Sequence, residues 1–342
     1  MTEKNERTLS LLHLRKTFSE YNRISLSGAK EIDPNRLLPL FKNVSSMYNP
    51  QELRAEFKEA PSFALALASF FVREIRTRAS TEGTQDAAIL IADYLIPSPS
   101  QNRGFAILTT LQFLLLSEDD AIVESLCKAS LPSTIVKSLY LFFDLPNPET
   151  EHIEMRNELN DLLASLMGKL CTFKSVSEEL TKTDDLALLF IAASSAVKKE
   201  NVEWRKRCSS CLETLGARAL SPLLIKYIKE KDCITNYLLN MQQDELHVED
   251  GAEMIITLFS FLKDSSSISN VLCQSFSASG GFDFLMRFIL SHEREREMVR
   301  SVLSMLTPLI TSGPSELKPS TSSGLISLPS FQVPSPLDTD LL

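Results

Sequence analysis

Two cysteines one helical turn apart are the first residues of this sequence that could do chemistry. Cys208 and Cys211 form a Cys-x-x-Cys pair, which is the spacing of redox dithiols, and the basic run Arg205–Arg207 just before it would favour the thiolates. In thioredoxin-like sites the pair begins a helix that follows a strand, whereas here it lies inside a helical pattern. The sequence therefore favours two core-facing thiols, and a thiol redox protein stays open as an alternative.

Histidines and carboxylates could bind a metal or transfer protons. A zinc site needs about four ligands, but the four histidines are isolated in sequence and no second Cys-x-x-Cys exists. The acidic pairs fall at expected helix starts, where negative charge offsets the helix dipole, and glycine-rich phosphate loops and a Gly-x-Ser-x-Gly elbow are absent from the sequence. We therefore expect no catalytic residue, no metal site and no cofactor, and we expect the chain not to be an enzyme.

The charge balance disfavours nucleic acid as a partner. The 342 residues include 35 Lys and Arg against 44 Asp and Glu, a net charge of −9, while binding through phosphates needs a dominant basic surface. The most apolar runs, 63–72 and 105–116, are shorter than the roughly 20 residues that span a bilayer. The N-terminus is polar, and the six cysteines are scattered. These features predict no transmembrane segment and a cytoplasmic protein with reduced thiols.

Apolar residues recur with helical spacing almost throughout the chain. Between 155 and 173 they fall at i, i+3, i+4 and i+7, the stripe of an amphipathic helix. Four dipeptides that end in proline predict helix starts, because the residue before each proline is a good N-cap and proline suits the first helical position. These pairs are Asp33-Pro34, Asn49-Pro50, Asn147-Pro148 and Ser221-Pro222. We expect about fifteen helices of modest length.

A weak internal repeat indicates how these helices are arranged. Leu131–Leu139 aligns with Leu220–Ile228 at an offset of 89 residues, 281–288 fits the same frame, and 185–190 is a weaker copy. Units of about 40–47 residues are typical of armadillo and HEAT repeats. The sequence therefore predicts an all-α, armadillo/HEAT-like right-handed helical solenoid, in which stacking buries the apolar face of each helix pair.

The predicted organisation has three parts. Residues 1–30 form an N-terminal helix and loop, residues 31–312 form the solenoid, and residues 313–342, rich in proline and serine without an apolar stripe, form a disordered tail. A loop over 97–102 marks the expected main break within the solenoid.

Three lysines are the candidate partner-binding residues. Lys137 and Lys226 occupy equivalent places in the best repeat pair, and Lys229 lies close to the second of them. In armadillo-type solenoids the third helix of each unit lines the groove, so a lysine ladder there would favour an acidic or extended peptide. A solvated helix face is the alternative reading of each lysine.

The stretch Leu131–Pro146 resembles the N-terminal region of the Alfy and blue cheese family, which are large BEACH proteins with WD repeats and a FYVE domain. Other stretches resemble the same family in the same order along the chain: Leu11–Phe18, Glu74–Ser80, Lys169–Phe173, Glu178–Phe190, Trp204–Lys206, Lys226–Cys233, Asn240–Gln243, Phe261–Ser266 and Gly313–Pro319.

The resemblance implies a long armadillo-like solenoid that acts as a non-enzymatic scaffold. Its partners would be proteins of vesicle traffic and of the selective autophagy of aggregated protein, and it would reach autophagic or endolysosomal membranes through them. No FYVE cysteine cluster, BEACH domain or WD repeat is visible in the sequence, so the family's lipid-binding contacts do not carry over. A short regulatory form that competes for the long protein's partners remains an alternative.

Overall fold

The structure is a computed structural model, and it describes residues 3–25, 32–80, 84–96, 103–141, 153–195, 202–242 and 247–311. Within these ranges the chain forms eighteen α-helices and no strand, which confirms the predicted all-α class. The predicted tail 313–342 and the predicted loop 97–102 lie outside the described residues. The helices are α1 Glu3–Ser25, α2 Pro34–Ser45, α3 Pro50–Glu56, α4 Ala60–Ala79, α5 Thr84–Leu95, α6 Arg103–Leu115, α7 Asp120–Lys128, α8 Leu131–Leu141, α9 Ile153–Leu170, α10 Lys174–Lys182, α11 Leu186–Ser194, α12 Val202–Arg218, α13 Pro222–Glu230, α14 Cys233–Met241, α15 Val248–Ser266, α16 Val271–Ala278, α17 Gly281–Ser291 and α18 Arg296–Thr311.

Side-chain caps fix three of the predicted helix starts. The Asp33 carboxylate accepts from the Asn35 N–H at 3.0 Å, and the Ser221 hydroxyl accepts from the Leu224 N–H at 3.2 Å. Asn49 and Glu52 form a capping box, in which each side chain accepts from the other residue's backbone N–H. The fourth predicted start, at 147–148, lies outside the described residues.

Helices stack with a period of three. The first-helix row is α6, α9, α12, α15 and α18, and each member packs on the next; α2 packs on α6 at its start. The first residues of these five helices are 103, 153, 202, 248 and 296, so the unit is 46 to 50 residues long. Because each three-helix unit packs on the next one, the chain is a helical solenoid, as the sequence predicted.

Two further rows run beside the first. The second-helix row is α4, α7, α10, α13 and α16, in which each helix packs on the next. The third-helix row begins with α5, α8, α11 and α14, in which each helix packs on the next. The helix α17 is the third helix of the following unit and packs on α16. At the other end α1 packs on α2, and its Leu14 and Phe18 are fully buried in the same continuous core.

A left-handed residue marks the turn from the second to the third helix in the four units whose turn the structure describes. Ser130, Asp184, Asp232 and Gly280 have φ values of 58°, 64°, 49° and 74°. Each lies two residues after the last residue of a second helix, which is the position where a left-handed residue commonly ends an α-helix. This turn recurs every 48 to 54 residues and is a second signature of the repeat.

The best repeat pair of the sequence analysis is wrong in register. Leu131–Leu139 lies in α8, a third helix, whereas Leu220–Ile228 lies in and just before α13, a second helix. The copies at 185–190 and 281–288 do match α8, because they lie at α11 and α17. Both α8 and α13 are short and amphipathic and carry a proline in their first turn, so apolar spacing alone cannot distinguish a second helix from a third.

One buried cation joins two first helices. The Arg205 side chain on α12 is almost fully buried, and its Nη2 donates to Asp250 at 2.6 Å and to Glu253 at 3.0 Å on α15. Burial of an arginine is tolerated only with such partners. Arg205, predicted as a promoter of thiolate formation, therefore ties two units together.

We expect opposite effects from the same substitution at two glycines. Gly280→Ala should lower the free energy of unfolding by about 1 kcal/mol, because φ is positive there and an L side chain strains that conformation. Gly168→Ala, inside α9 with open space around a Cβ, should raise it by about 0.5–1 kcal/mol. The midpoint of urea unfolding, followed by circular dichroism, measures both. Equal shifts of the same sign would contradict the left-handed turn.

Candidate protein-interaction surface

The third-helix row is poor in charge. Neither α11 nor α14 contains a charged residue, α8 contains only Lys137, and α5 and α17 contain two charged residues each. The second-helix row differs, since α10 alone carries two lysines and two glutamates. Charge depletion together with exposed aromatic and Met side chains is typical of the centre of a protein–protein interface.

Large apolar side chains are exposed along this row. The exposed fractions are 38% for Tyr140 on α8, 58% for Leu239 on α14, and 58% and 64% for Met286 and Leu290 on α17. At the other end of the row, Ile89 on α5 is also exposed. These side chains come from four of the five units, and α11 between α8 and α14 exposes none. Their spread over several units suits an elongated partner better than a small ligand.

Polar contacts between units hold the row in register. The Asn240 Nδ2 on α14 donates to the Ser194 hydroxyl on α11 at 2.8 Å, and Ser194 donates in turn to the Phe190 carbonyl at 2.9 Å. Thr235 and Ser279 share a hydrogen bond of 2.7 Å between the α14 unit and the next one. Both contacts link residues 44 or 46 positions apart, about one repeat.

Lys137 belongs to a polar cluster beneath the row. Its ammonium lies 3.2 Å from Asp185 Oδ2, and the Ser133 hydroxyl donates to the same carboxylate. Asp185 is buried immediately before α11, while about half of the Lys137 side chain is exposed. The lysine therefore joins α8 to α11 as an ion pair.

Glu179 on α10 is the member of this cluster whose carboxylate is buried without a good hydrogen bond. It is 9% exposed, and neither carboxylate oxygen makes a hydrogen bond of normal geometry with the described residues. Burial raises the pKa of Glu179 to about 7, and the charge of Asp185 adds to the rise, while the Ser133 backbone N–H and Lys137 oppose it. This carboxyl group thus titrates near neutral pH, a property that no sequence pattern indicated.

The predicted lysine ladder does not form. Lys226 and Lys229 lie on α13 in the second-helix row, whereas Lys137 lies on α8 in the third-helix row. Lys226 is exposed and pairs with Glu230 at 3.6 Å one turn later, and Lys229 is exposed. The equivalence of Lys137 and Lys226 was wrong because the repeat register was wrong. Partner binding by each lysine stays a prediction.

The Cys-x-x-Cys thiols are buried in the middle of α12. Cys208 and Cys211 are almost inaccessible, and burial raises the pKa of the Cys208 thiol. The contact with the Cys211 thiol and burial also raise the pKa of Cys171 on the adjacent chain segment. Reactive cysteines need accessible thiolates, so this geometry argues against the redox alternative.

The described ranges hold no group of three or more His, Cys, Asp or Glu side chains placed to bind a metal ion. Among the same residues, no helix combines the length and the hydropathy that crossing a membrane requires.

Comparison with known proteins finds distant relatives. Human WD repeat- and FYVE domain-containing protein 4 is 24% identical over 222 residues, which are 63% of this chain and 7% of that protein. The mouse protein of the same name is 24% identical over 213 residues, 60% of this chain and 7% of its own length. This chain therefore spans a small fraction of the length of the relatives that it matches. No family model matches the sequence.

These relatives agree with the coarser part of the sequence resemblance, which is a similarity to proteins with WD repeats and a FYVE domain. They do not single out Alfy and blue cheese. Among solved structures, an engineered protein is similar over 81% of this chain and 97% of its own, with a TM-score of 0.42 and 12% identity, which is too loose a likeness to bear on the fold.

Glu179→Gln should be more stable than the wild type at about pH 8, by on the order of 1–3 kcal/mol. The pKa of Glu179 is raised from 4.5 to about 7, so the folded chain binds more protons than the unfolded chain between these values. The free energy of unfolding therefore falls as pH rises through about 7, and glutamine removes that fall. Urea unfolding at several pH values measures the effect.

The exposed neighbour Glu178 supplies the control for this prediction, because Glu178→Gln should leave the pH dependence of stability unchanged. A Glu179→Gln variant that keeps the wild-type pH dependence, or that is less stable at about pH 8, would refute the assignment.

Thiol labelling should distinguish the buried pair from reactive cysteines. In the folded protein, Ellman's reagent should modify the same number of fast-reacting thiols in the wild type and in a Cys208→Ala, Cys211→Ala variant, because neither thiol is accessible. In urea the variant should show two fewer thiols. Loss of a fast-reacting thiol in the folded variant would revive the redox alternative.

Proposed function

We propose that this chain is a protein-interaction scaffold that binds an elongated partner segment across the third-helix row. The observation that carries this proposal is the exposure of Tyr140, Leu239, Met286 and Leu290 on a row whose central helices are free of charge. A partner that covers apolar side chains exposed on several units lowers the free energy of the complex.

The proposal includes a non-enzymatic role. The residues that could have done redox chemistry, Cys208 and Cys211, are buried within a helix, and the buried acidic pair Glu179 and Asp185 lies beneath packed helices. The cluster formed by Asp185, Lys137 and Ser133 links two units, which is a structural task.

A finer proposal follows from the sequence resemblance. As in the Alfy and blue cheese family, the scaffold would act as an adaptor in vesicle traffic or in the selective autophagy of aggregated protein, with proteins of those pathways as partners. The similarity to WD repeat- and FYVE domain-containing protein 4 supports the broader relationship.

Proximity labelling in cells, with quantitative mass spectrometry, tests the surface. A Leu239→Glu, Met286→Glu variant should lower the labelling of specific partners at least about tenfold, because each apolar anchor is worth about 1.5–3 kcal/mol when buried and 1.4 kcal/mol is tenfold in affinity. Both side chains are exposed, so helicity measured by circular dichroism should be unchanged.

The comparison variant Lys226→Glu, Lys229→Glu tests the lysines predicted from the sequence. Binding across the third-helix row requires that this variant keep the partners. The opposite pattern, with partners lost only in the lysine variant, would move the binding surface to α13 and contradict the proposal. A partner set without trafficking or autophagy proteins would contradict the finer proposal alone.

A further inference from the structure

A cavity of about 500 Å³ opens at the edge of the solenoid, away from the third-helix row. It lies where first helices turn into second helices: the end of α12, the end of α15 and the start of α10 meet there. No residue of α8, α11, α14 or α17 lines it.

Three cations converge on this cavity from three different helices. Lys174 is the first residue of α10, Arg218 is the last residue of α12, and Lys263 lies near the end of α15. All three are exposed, and none makes a salt bridge within the part of the chain that the structure describes. Asp264 is the single carboxylate in the lining, so the cavity has an excess of positive charge in a chain of net charge −9.

A second cavity, of about 390 Å³ between α10 and α13, differs from the edge cavity in the charges of its lining. Lys182 and Lys226 line it, but Glu178 and Glu230 line it as well, so its charges balance. The edge cavity alone of these two offers cations without a matching number of anions.

Other features of the edge cavity also suit an anion. The N-cap of α10 is Phe173, which supplies no side-chain cap, so the positive end of this helix dipole is uncapped beside Lys174. Ser266 and Ser267 donate their hydroxyl protons to the carbonyls of Lys263 and Asp264 at 2.7 Å. The side-chain donors directed to a ligand would therefore be two ammonium groups and one guanidinium group.

We propose that this edge cavity binds a phosphorylated serine or threonine in a segment of a partner protein. A phosphoserine brings a charge of about −1.5 to −2 and three acceptor oxygens, which match three cationic groups, and both arginine and lysine are recurrent phosphate ligands. Leu220 and the exposed Ile268 also line the cavity and supply apolar contact for a neighbouring peptide side chain. An anionic membrane fits less well, because it would also face the negative remainder of the chain.

Binding to degenerate nonapeptide libraries tests this site with the full chain. A library with a fixed central phosphoserine should bind at least about tenfold tighter than the same library with serine. An Arg218→Gln, Lys263→Gln variant should lose that preference. The control Lys42→Gln, Lys128→Gln removes the same charge at exposed positions outside the cavity and should keep it.

Three results would overturn the proposal: equal binding of the two libraries, equal loss in the control variant, or binding only to vesicles that contain a phosphatidylinositol phosphate. The Leu239→Glu, Met286→Glu variant should retain phosphopeptide binding, so failure of the edge cavity and failure of the third-helix row are distinguishable.

Discussion

Short helices that cannot stand alone impose the main constraint on this molecule. A helix of nine residues such as α10 or α14 is only marginally stable in water, because its few hydrogen bonds do not offset the free-energy cost of nucleating a helix. Its apolar stripe, Val176 and Leu180 in α10, becomes stable only when helices of neighbouring units bury it. Each helix therefore depends on the one three positions away. The left-handed turn before α8, α11, α14 and α17 redirects the chain at the same point of these four units.

This packing also determines how charged and apolar side chains are distributed over the surface. The first helices, including α9, α12 and α15 with 17 to 19 residues each, carry much of the core and hold buried ties such as Arg205 with Asp250. The first- and second-helix rows carry most of the charged residues, whereas the third-helix row carries few charges and several exposed apolar side chains. Two surfaces of different chemistry follow from one repeat, an apolar row for an elongated segment and a basic cavity at the edge where helix ends meet. A scaffold can use both at once, because they share no residue.

The fold was predictable from sequence because helix periodicity and N-caps are local signals. Asn49 with Glu52 and Ser221 with Pro222 predicted helix starts that the structure contains. The register of the repeat was not predictable from apolar spacing, since α8 and α13 bury similar stripes. The recurring left-handed turn was hidden because three different residue types occupy it: serine at 130, aspartate at 184 and 232, and glycine at 280. The Glu179 cluster and the edge cavity are made by residues from different units, so no local pattern could reveal them.

Zero-length cross-linking with a carbodiimide tests the period of three helices most directly, because it joins only carboxylates and lysines already in contact. In the wild-type protein, Asp184 should link to Lys231, whose ammonium lies 2.8 Å away and 47 residues later, and Glu118 should link to Lys169, 51 residues later. Peptide mapping that finds these two links would support stacking of each unit on the next. Links that instead join α8 to α13, or the absence of both links in a helical protein, would contradict it.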